Sequence, residues 1–265
     1  MKNHHPCVLL TKNEKFGDDL FKLTFQSAEI ASNLKPGNFV HIKVTPQMDP
    51  LFRRAMSVHS CNGDSFTVFF RVVGRGTKLL SEFREGDELD LLGPLGNSFM
   101  LPGSEDIPIM VAGGTGIPPL HFYATLLLRQ SIGNRDGIRF LCGISSKSDL
   151  PLVRDVQALG VDVKLSSDDG SVGHHGFVTD ILEAELSDID SNRAVVYSCG
   201  PENMLRAVAA ICLESNIRCQ VSLEGSMPCG LGTCLGCVVR STESDTEFKR
   251  ICKEGPVFNA GEVKI

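Results

Sequence analysis

Four cysteines carry the strongest chemical pattern in this 265-residue chain. From Cys229 to Cys237 the run Cys-Gly-Leu-Gly-Thr-Cys-Leu-Gly-Cys has C-x4-C-x2-C spacing, and Cys252 supplies a fourth thiol beyond it. That is the loop-plus-distant-ligand layout of a plant-type iron–sulfur site, in which a tight loop wraps two irons. Gly230, Gly232, Thr233 and Gly236 are small enough to bring backbone N–H groups close to sulfur. A structural zinc site ordinarily uses two short Cys or Cys/His pairs, whereas a single C-x2-C pair is present. Disulfides need an oxidising compartment, and the opening residues lack the charged-then-apolar pattern of a secretory leader, so a reducing, cytoplasmic setting is expected. Four inert apolar cysteines fit poorly in so glycine-rich a loop.

Four other stretches have the chemistry of anion or ring binding. Arg54-Ala55-Met56-Ser57 offers a permanent cation and a hydroxyl on a strand pattern, read here as facing one side toward phosphate. Gly76-Thr77 opens a short helical pattern, where free N–H groups and the helix dipole favour an anion. Gly113-Gly114-Thr115-Gly116, followed by Ile117-Pro118-Pro119, makes a glycine turn into a helix whose first turn accepts proline, the shape of a pyrophosphate cradle. Cys199-Gly200-Pro201 follows an apolar run and would let a flat ring approach the backbone. Each of these taken singly is also ordinary turn chemistry. His4-His5 and His174-His175 read as a solvated arm and loop, Asp168-Asp169 as turn residues, and Cys7, Cys61, Cys142, Cys199, Cys212 and Cys219 as small buried hydrophobes, with Cys199 a possible exception.

These stretches must be positioned by elements of two kinds. Up to Leu92, short β-rich runs at 7–11, 20–26, 39–44, 55–60, 66–73 and 88–92 alternate with turn signals, with one helix at 76–83; this reads as an antiparallel barrel. Beyond Pro102, apolar strands at 108–112, 138–143, 161–166, 194–199 and 219–223 alternate with helices at 118–129, 150–159, 177–186 and 202–215, the texture of a doubly wound parallel sheet. Such sheets bind ligands at the carboxyl ends of their strands. The expected class is α+β multidomain: a β-barrel over 1–100, an α/β dinucleotide domain over 101–224 and a cluster module over 225–265. A net charge of −6 without Lys/Arg runs disfavours a nucleic-acid surface, and no apolar run is long enough for a membrane span.

A nicotinamide exchanges two electrons as hydride, whereas a two-iron cluster passes them singly. A flavin converts between the two, so the order barrel, dinucleotide domain, cluster loop predicts a path among NAD, FAD and a [2Fe–2S] cluster with no catalytic side chain.

The chain resembles the ferredoxin-reductase-like flavoproteins and, within them, the electron-transfer subunits of NAD-linked (type 1B) dihydroorotate dehydrogenase. The resemblance runs through Arg54–Ser57, Phe69-Phe70-Arg71, Gly76-Thr77, the run 93–97 (Gly-Pro-Leu-Gly-Asn), Cys199-Gly200-Pro201, the cysteine loop and the run from Cys252 to Phe258. It implies that Arg54 and Ser57 hold the FAD phosphate and ribose, that Phe69, Phe70 and Arg71 line the flavin and adenine side, that Gly76-Thr77 binds pyrophosphate, and that Cys229, Cys234, Cys237 and Cys252 hold the cluster. It also implies a separate FMN-containing catalytic subunit that oxidises dihydroorotate in pyrimidine synthesis, joined in a heterotetramer of two of each. Ala55 stands where the family usually has proline, and Met56 where the wider superfamily has a stacking aromatic. The same cofactors would also suit a reductase subunit of a hydrogenase, sulfur-reducing or oxygenase complex, or a non-enzymatic redox sensor. For NAD against NADP, Lys147 could meet a ribose phosphate and Asp149 would repel it.

Overall fold

The computed structural model describes residues 3–132 and 137–265. Its first part is a closed antiparallel barrel in the order β1-β2-β5-β4-β3-β6. The strands are β1 (His4–Phe16), β2 (Leu20–Gln26), β3 (Phe39–Ile42), β4 (Arg54–Asn62), β5 (Ser65–Arg71) and β6 (Glu88–Leu95), with the short helices α1 (Ala28–Ala31) and α2 (Arg75–Ser81) between them. Leu23, Phe25, Val40, Ile42, Val58, Phe66 and Val68 are almost fully buried and fill its interior. β1 begins earlier than the sequence suggested. His4 and His5 pair with Leu92 and Leu91 of β6, and His4 Nε2 lies 2.8 Å from Asp90 Oδ1, so they are strand residues and no arm. α1 escapes a periodicity reading because it is one turn long; Ser27 starts it by accepting from Ile30 N–H at 3.3 Å.

The second part is a seven-stranded sheet in the order β10-β9-β8-β7-β11-β12-β15. Its parallel strands are β7 (Ile107–Gly113), β8 (Arg139–Ile144), β9 (Asp162–Ser167), β10 (His174–His175), β11 (Ala194–Cys199) and β12 (Arg218–Ser222). The crossover helices α3 (Ile117–Gln130) and α4 (Leu150–Gln157) pack into the core on one face, and α5 (Val178–Ser187) and α6 (Glu202–Glu214) into that on the other. His174-His175, expected in a loop, forms the edge strand against Ser166-Ser167. The stretch after the cysteine loop also enters this sheet. β13 (Val238–Arg240) and β14 (Phe248–Arg250) form a separate ribbon, but β15 (Val257–Asn259) pairs antiparallel with β12. Cys142, Cys199, Cys212 and Cys219 are buried as expected of apolar thiols, whereas Cys7 is exposed at the start of β1 and Cys61 is half-buried. No helix among the described residues is long and apolar enough to cross a membrane.

Barrel and sheet are tied by a polar cluster. His59 of β4 stacks on His121 of α3 with ring centroids 4.4 Å apart, and His121 Nδ1 lies 3.1 Å from the His59 carbonyl oxygen. Asp155 of α4 accepts from both His59 Nε2 at 2.8 Å and Lys22 Nζ at 2.7 Å. Burial pushes the His121 pKa down from 6.5 to about 4, with the neighbouring His59 adding to the effect, and burial also lowers His59. Between those values the unfolded chain binds a proton at His121 that the folded chain refuses, so stability is full above pH 6.5 and falls as pH drops toward 4. The loss from this one group should reach about 3 kcal/mol across the window. Thermal unfolding midpoints measured over this range should fall on acidification, and His121→Phe, which cannot titrate, should flatten the slope. An unchanged slope in His121→Phe would count against the buried imidazole as its source.

Candidate functional site

Three clefts and the cysteine loop form one continuous region at the carboxyl ends of the strands. The first cleft, about 320 Å³, lies between the barrel and the sheet. It is lined by Arg54, Ala55, Met56 and Ser57 of β4, Phe69, Phe70 and Arg71 of β5, Thr77 of α2 and Thr115 after β7, so stretches singled out separately in the sequence meet at one cavity. Residues three apart on a regular strand face opposite sides, so Arg54 and Ser57 do not share a face as the sequence reading had it. Both nevertheless line the cavity, and the long Arg54 side chain packs over Gly76, where an added Cβ would stand 2.0 Å from Arg54 Nε and displace the guanidinium.

Several groups are engaged differently from expectation. Thr77 Oγ1 accepts from Val73 N–H at 2.9 Å and Gly74 N–H at 3.1 Å, capping a helix that starts at Arg75 instead of Gly76. Its hydroxyl is committed to that cap, and the anion-binding capacity left at this turn is the first-turn N–H groups, which have no intrahelical partner. Arg71 is held by Asp19 at 2.6 Å and by Asp149 at 2.6 Å, joining the barrel to the sheet. Asp149 is buried and also accepts from Ser145 N–H at 3.1 Å, so it is not the group facing a ribose phosphate.

The second cleft, about 380 Å³, is lined by Gly113, Gly114, Ser145, Asp168, Phe177 and Pro201, among others. β7 is followed by β8 on one side and flanked by β11 on the other, so this is where the strand order reverses, the place where such sheets take ligands. A Cβ at Gly116 would fall 2.1 Å from the Cys199 carbonyl oxygen, which brings the two strand ends together. Cys199 itself is sealed beneath the surface, and burial pushes its thiol well above the ordinary range; Gly200 and Pro201 are the members of that trio that line a cleft. The third cleft joins the others: Pro201 lines it and the second, and Leu223, Glu224 and Gly225 line it and the first.

The sequence reading gave no role to Glu224 or Phe177 and took Asp168 for a turn residue. Glu224 stands just past the end of β12 where two clefts meet; its side chain is accessible within the cleft yet surrounded by protein, and this desolvation pushes its carboxyl up. Asp168 stands just past the end of β9 and Phe177 is 68 % exposed at the mouth of the second cleft. The strand-end rule would have found both carboxylates, since each stands within two residues of a strand's carboxyl end.

The cysteine loop continues from the wall of the first cleft. Gly225 and Met227 line that cleft on the way in to Cys229, and Pro256 lines it on the way out from Cys252. Cys237 and Cys252 are buried, Cys229 is half-buried and Cys234 exposed. Leu231 N–H lies 3.4 Å from Cys229 Sγ, Gly236 N–H 3.4 Å from Cys234 Sγ, and Cys252 N–H 3.5 Å from Cys237 Sγ. The side chains of Cys229 and Cys234 interact directly, as do those of Cys237 and Cys252. Among the described residues no three His, Cys, Asp or Glu converge on one ion, and the four thiols stand as two neighbouring pairs. Burial raises the Cys229 pKa, but N–H groups of Leu231 and Cys234 and the Thr233 hydroxyl outweigh it and hold the thiol at about 5. Burial and neighbouring Cys237 push Cys252 up to about 12, a crowding of sulfur that bound cations would relieve. The donor set therefore fits an iron–sulfur cluster, and the cleft with Arg54 beside a free helix turn fits the phosphate end of a flavin dinucleotide.

Comparison with known proteins points to the same cofactors. Residues 224–264 match the family described as the iron–sulfur cluster binding domain of dihydroorotate dehydrogenase B, and residues 110–210 match the oxidoreductase NAD-binding domain. The electron transfer subunit of dihydroorotate dehydrogenase B (NAD(+)) from Geobacillus sp. (strain WCH70) is 35% identical over 262 residues, covering 97% of this chain and 98% of that relative. Among solved structures, an NADH-dependent reduced ferredoxin–NADP oxidoreductase studied for flavin-based electron bifurcation superposes with a TM-score of 0.84 and 26% identity over 98% of this chain and 90% of that one. A ferredoxin NADP+ reductase from Neisseria gonorrhoeae with bound FAD and NADP shares the fold, with a TM-score of 0.69 and 16% identity over 80% of this chain and 92% of that one.

Two substitutions test the assignments separately. Cys234→Ser should abolish bound iron and sulfide in protein prepared without oxygen, and stoichiometric zinc in the parent protein would contradict the cluster. Arg54→Ala should remove a charge-assisted bond worth about 1.5–3 kcal/mol and weaken FAD about ten- to hundred-fold. Unchanged FAD affinity, measured by fluorescence titration, would show that the phosphate lies elsewhere.

Proposed function

The chain belongs to the electron-transfer subunits of NAD-linked dihydroorotate dehydrogenase B, and from that membership we propose how its residues divide the work. It is an electron-transfer flavo-iron–sulfur protein of pyrimidine biosynthesis, working with FAD, an iron–sulfur cluster and NAD. Bound in these clefts, a nicotinamide and a flavin would supply hydride chemistry, and a flavin and a cluster single-electron chemistry. The observation that carries the proposal is that residues 223–227 line the first and third clefts and lead directly into the cluster loop, while Pro201 joins the third cleft to the second.

In this reading Arg54 and the first turn of α2 bind the FAD pyrophosphate, Ser57 the ribitol or ribose side, and Met56, Phe69 and Phe70 pack on the flavin. Arg71 holds the barrel to the sheet through Asp149 and so fixes the width of the cleft. Gly113, Gly114, Thr115 and Gly116 bring the β7 turn close to the NAD pyrophosphate, and Gly200 and Pro201 keep the nicotinamide end open. Asp168 at the second cleft would repel a 2′-phosphate, which favours NAD over NADP. Cys229, Cys234, Cys237 and Cys252 would hold a [2Fe–2S] centre, and the flanking N–H groups would stabilise sulfur charge.

The partner is a catalytic dihydroorotate dehydrogenase subunit, with FMN, in a cytoplasmic heterotetramer of two of each. Leu231, Leu235, Val238 and Phe248 are exposed around the cysteine loop and are 37, 60, 40 and 51 % accessible, an apolar patch that an electron-transfer partner would cover. The likeness over nearly the whole chain to a bifurcating oxidoreductase supports a second reading, a reductase subunit of another complex, and the protein that co-purifies without oxygen decides between them. The isolated chain should reduce an artificial dye with NADH but not oxidise dihydroorotate, since the described residues offer no constellation for taking a proton from carbon. Leu235→Glu should weaken assembly with the catalytic subunit while leaving the dye reaction intact. Full assembly of Leu235→Glu, or dihydroorotate turnover by the chain alone, would contradict the proposal.

A further inference from the structure

His41 lies on β3, between the barrel interior and the cysteine loop. It pairs with Ala55 of β4 and Leu92 of β6 and is 0 % accessible, yet neither ring nitrogen has an aligned hydrogen-bond partner among the described residues. Leaving a buried imidazole in that state costs free energy that a strand of apolar residues would avoid, so the ring is there for something outside the barrel core.

The cysteine loop is what it faces. Gly230, with φ +68°, passes so close that an added Cβ would stand 2.7 Å from His41 Nδ1, and any side chain there would lift the loop away. Burial, and after it the Arg53 charge, lower the ring's pKa to about 4 and keep it neutral, while the backbone carbonyls of Cys229 and Met227, on either side of Pro228, lie near enough to oppose that shift, as carbonyl oxygens facing a ring N–H do. Pro228 has no N–H, which leaves carbonyl oxygens as the main polar face of this turn. Behind the ring, Arg53 donates to the Asp90 carbonyl oxygen at 2.7 Å and pairs with the Asp90 carboxylate at 2.8 Å, so the strand carrying His41 is braced from the other side.

We propose that His41 is a positioning residue for the iron–sulfur cluster: its ring N–H bonds the carbonyl face of segment 227–229 and fixes the Cys229 end of the loop against the wall of the first cleft. Met227 lines that cleft and Cys229 is two residues further on, so the same bond sets how the cluster is oriented toward the cofactor in the cleft. The inference rests on the cluster assignment above. It differs from a packing role in requiring a donor, because an apolar ring of equal size would fill the space and still lose the bond.

The test compares His41→Phe, which keeps the shape and removes the donor, with His41→Asn, whose amide nitrogen falls near ring Nδ1. Electron paramagnetic resonance of the reduced chain and the rate of iron loss to a chelator are read together, with FAD content as the check that the barrel is folded. His41→Phe should shift the cluster signal and lose iron about ten-fold faster, the scale on which groups supporting metal ligands act, and His41→Asn should restore most of both. If His41→Phe loses FAD as well, Gly230→Ala decides: by pushing the loop off an intact His41 it should shift the signal in the same way. A parent-like signal and iron retention in the folded Phe variant, or in Gly230→Ala where that decides, overturns the proposal, as does an Asn variant no better than Phe. A parent chain without any cluster signal instead overturns the cluster assignment.

Discussion

Four sulfurs held in one loop repel one another once ionised, and much of this molecule is arranged around that repulsion. Cys229 is kept ionisable by N–H groups and a hydroxyl, while Cys252 is held up at about 12 by burial and by its neighbour Cys237. Such a set is stable as thiolates only with positive charge between the sulfurs. The loop must also bend sharply, with Gly230, Gly232 and even Leu235 at positive φ, and it is anchored at both ends. Its entry follows β12 and its exit becomes β15, which pairs back onto β12, so both ends of the loop belong to the edge of the sheet.

That anchoring links the cysteine loop to the two clefts. The barrel would be free to shift against the sheet if it met it only through apolar contact, but two ion pairs, Arg71 to Asp149 and Lys22 to Asp155, and a hydrogen bond from His59 to the Asp155 carboxylate cross the boundary. Partly buried pairs of this kind add little net stability but disfavour misplacement, because separating them would leave a charge without its partner. The width of the first cleft, bounded by barrel residues on one side and by Thr115, Leu223 and Glu224 on the other, is set by these ties.

Much of this could be read from residue order. The runs 20–26 and 194–199 coincide with β2 and β11, because each is a strongly β-prone stretch closed by clear turn residues. The cysteine spacing and the glycine turn after β7 also carried their chemistry openly. Tertiary engagement was not legible. Arg71 looks free in sequence and is shared by two carboxylates; Asp149 looks exposed and is buried under that arginine. Glu224 carries only the signal of its place at a strand end, and the rest of its meaning comes from the meeting of two clefts; His41 sits in a β-run where its polarity shows only once the cysteine loop is seen to cover it.

The central claim is that one continuous wall connects the dinucleotide cleft, the flavin cleft and the cysteine loop. Rapid mixing of the anaerobic chain with NADH, following flavin absorbance and the cluster signal together, tests it most directly. The account predicts that flavin absorbance falls first, that the cluster signal follows, and that protein depleted of FAD shows no cluster reduction by NADH. Cluster reduction at an undiminished rate in the FAD-depleted chain would contradict it.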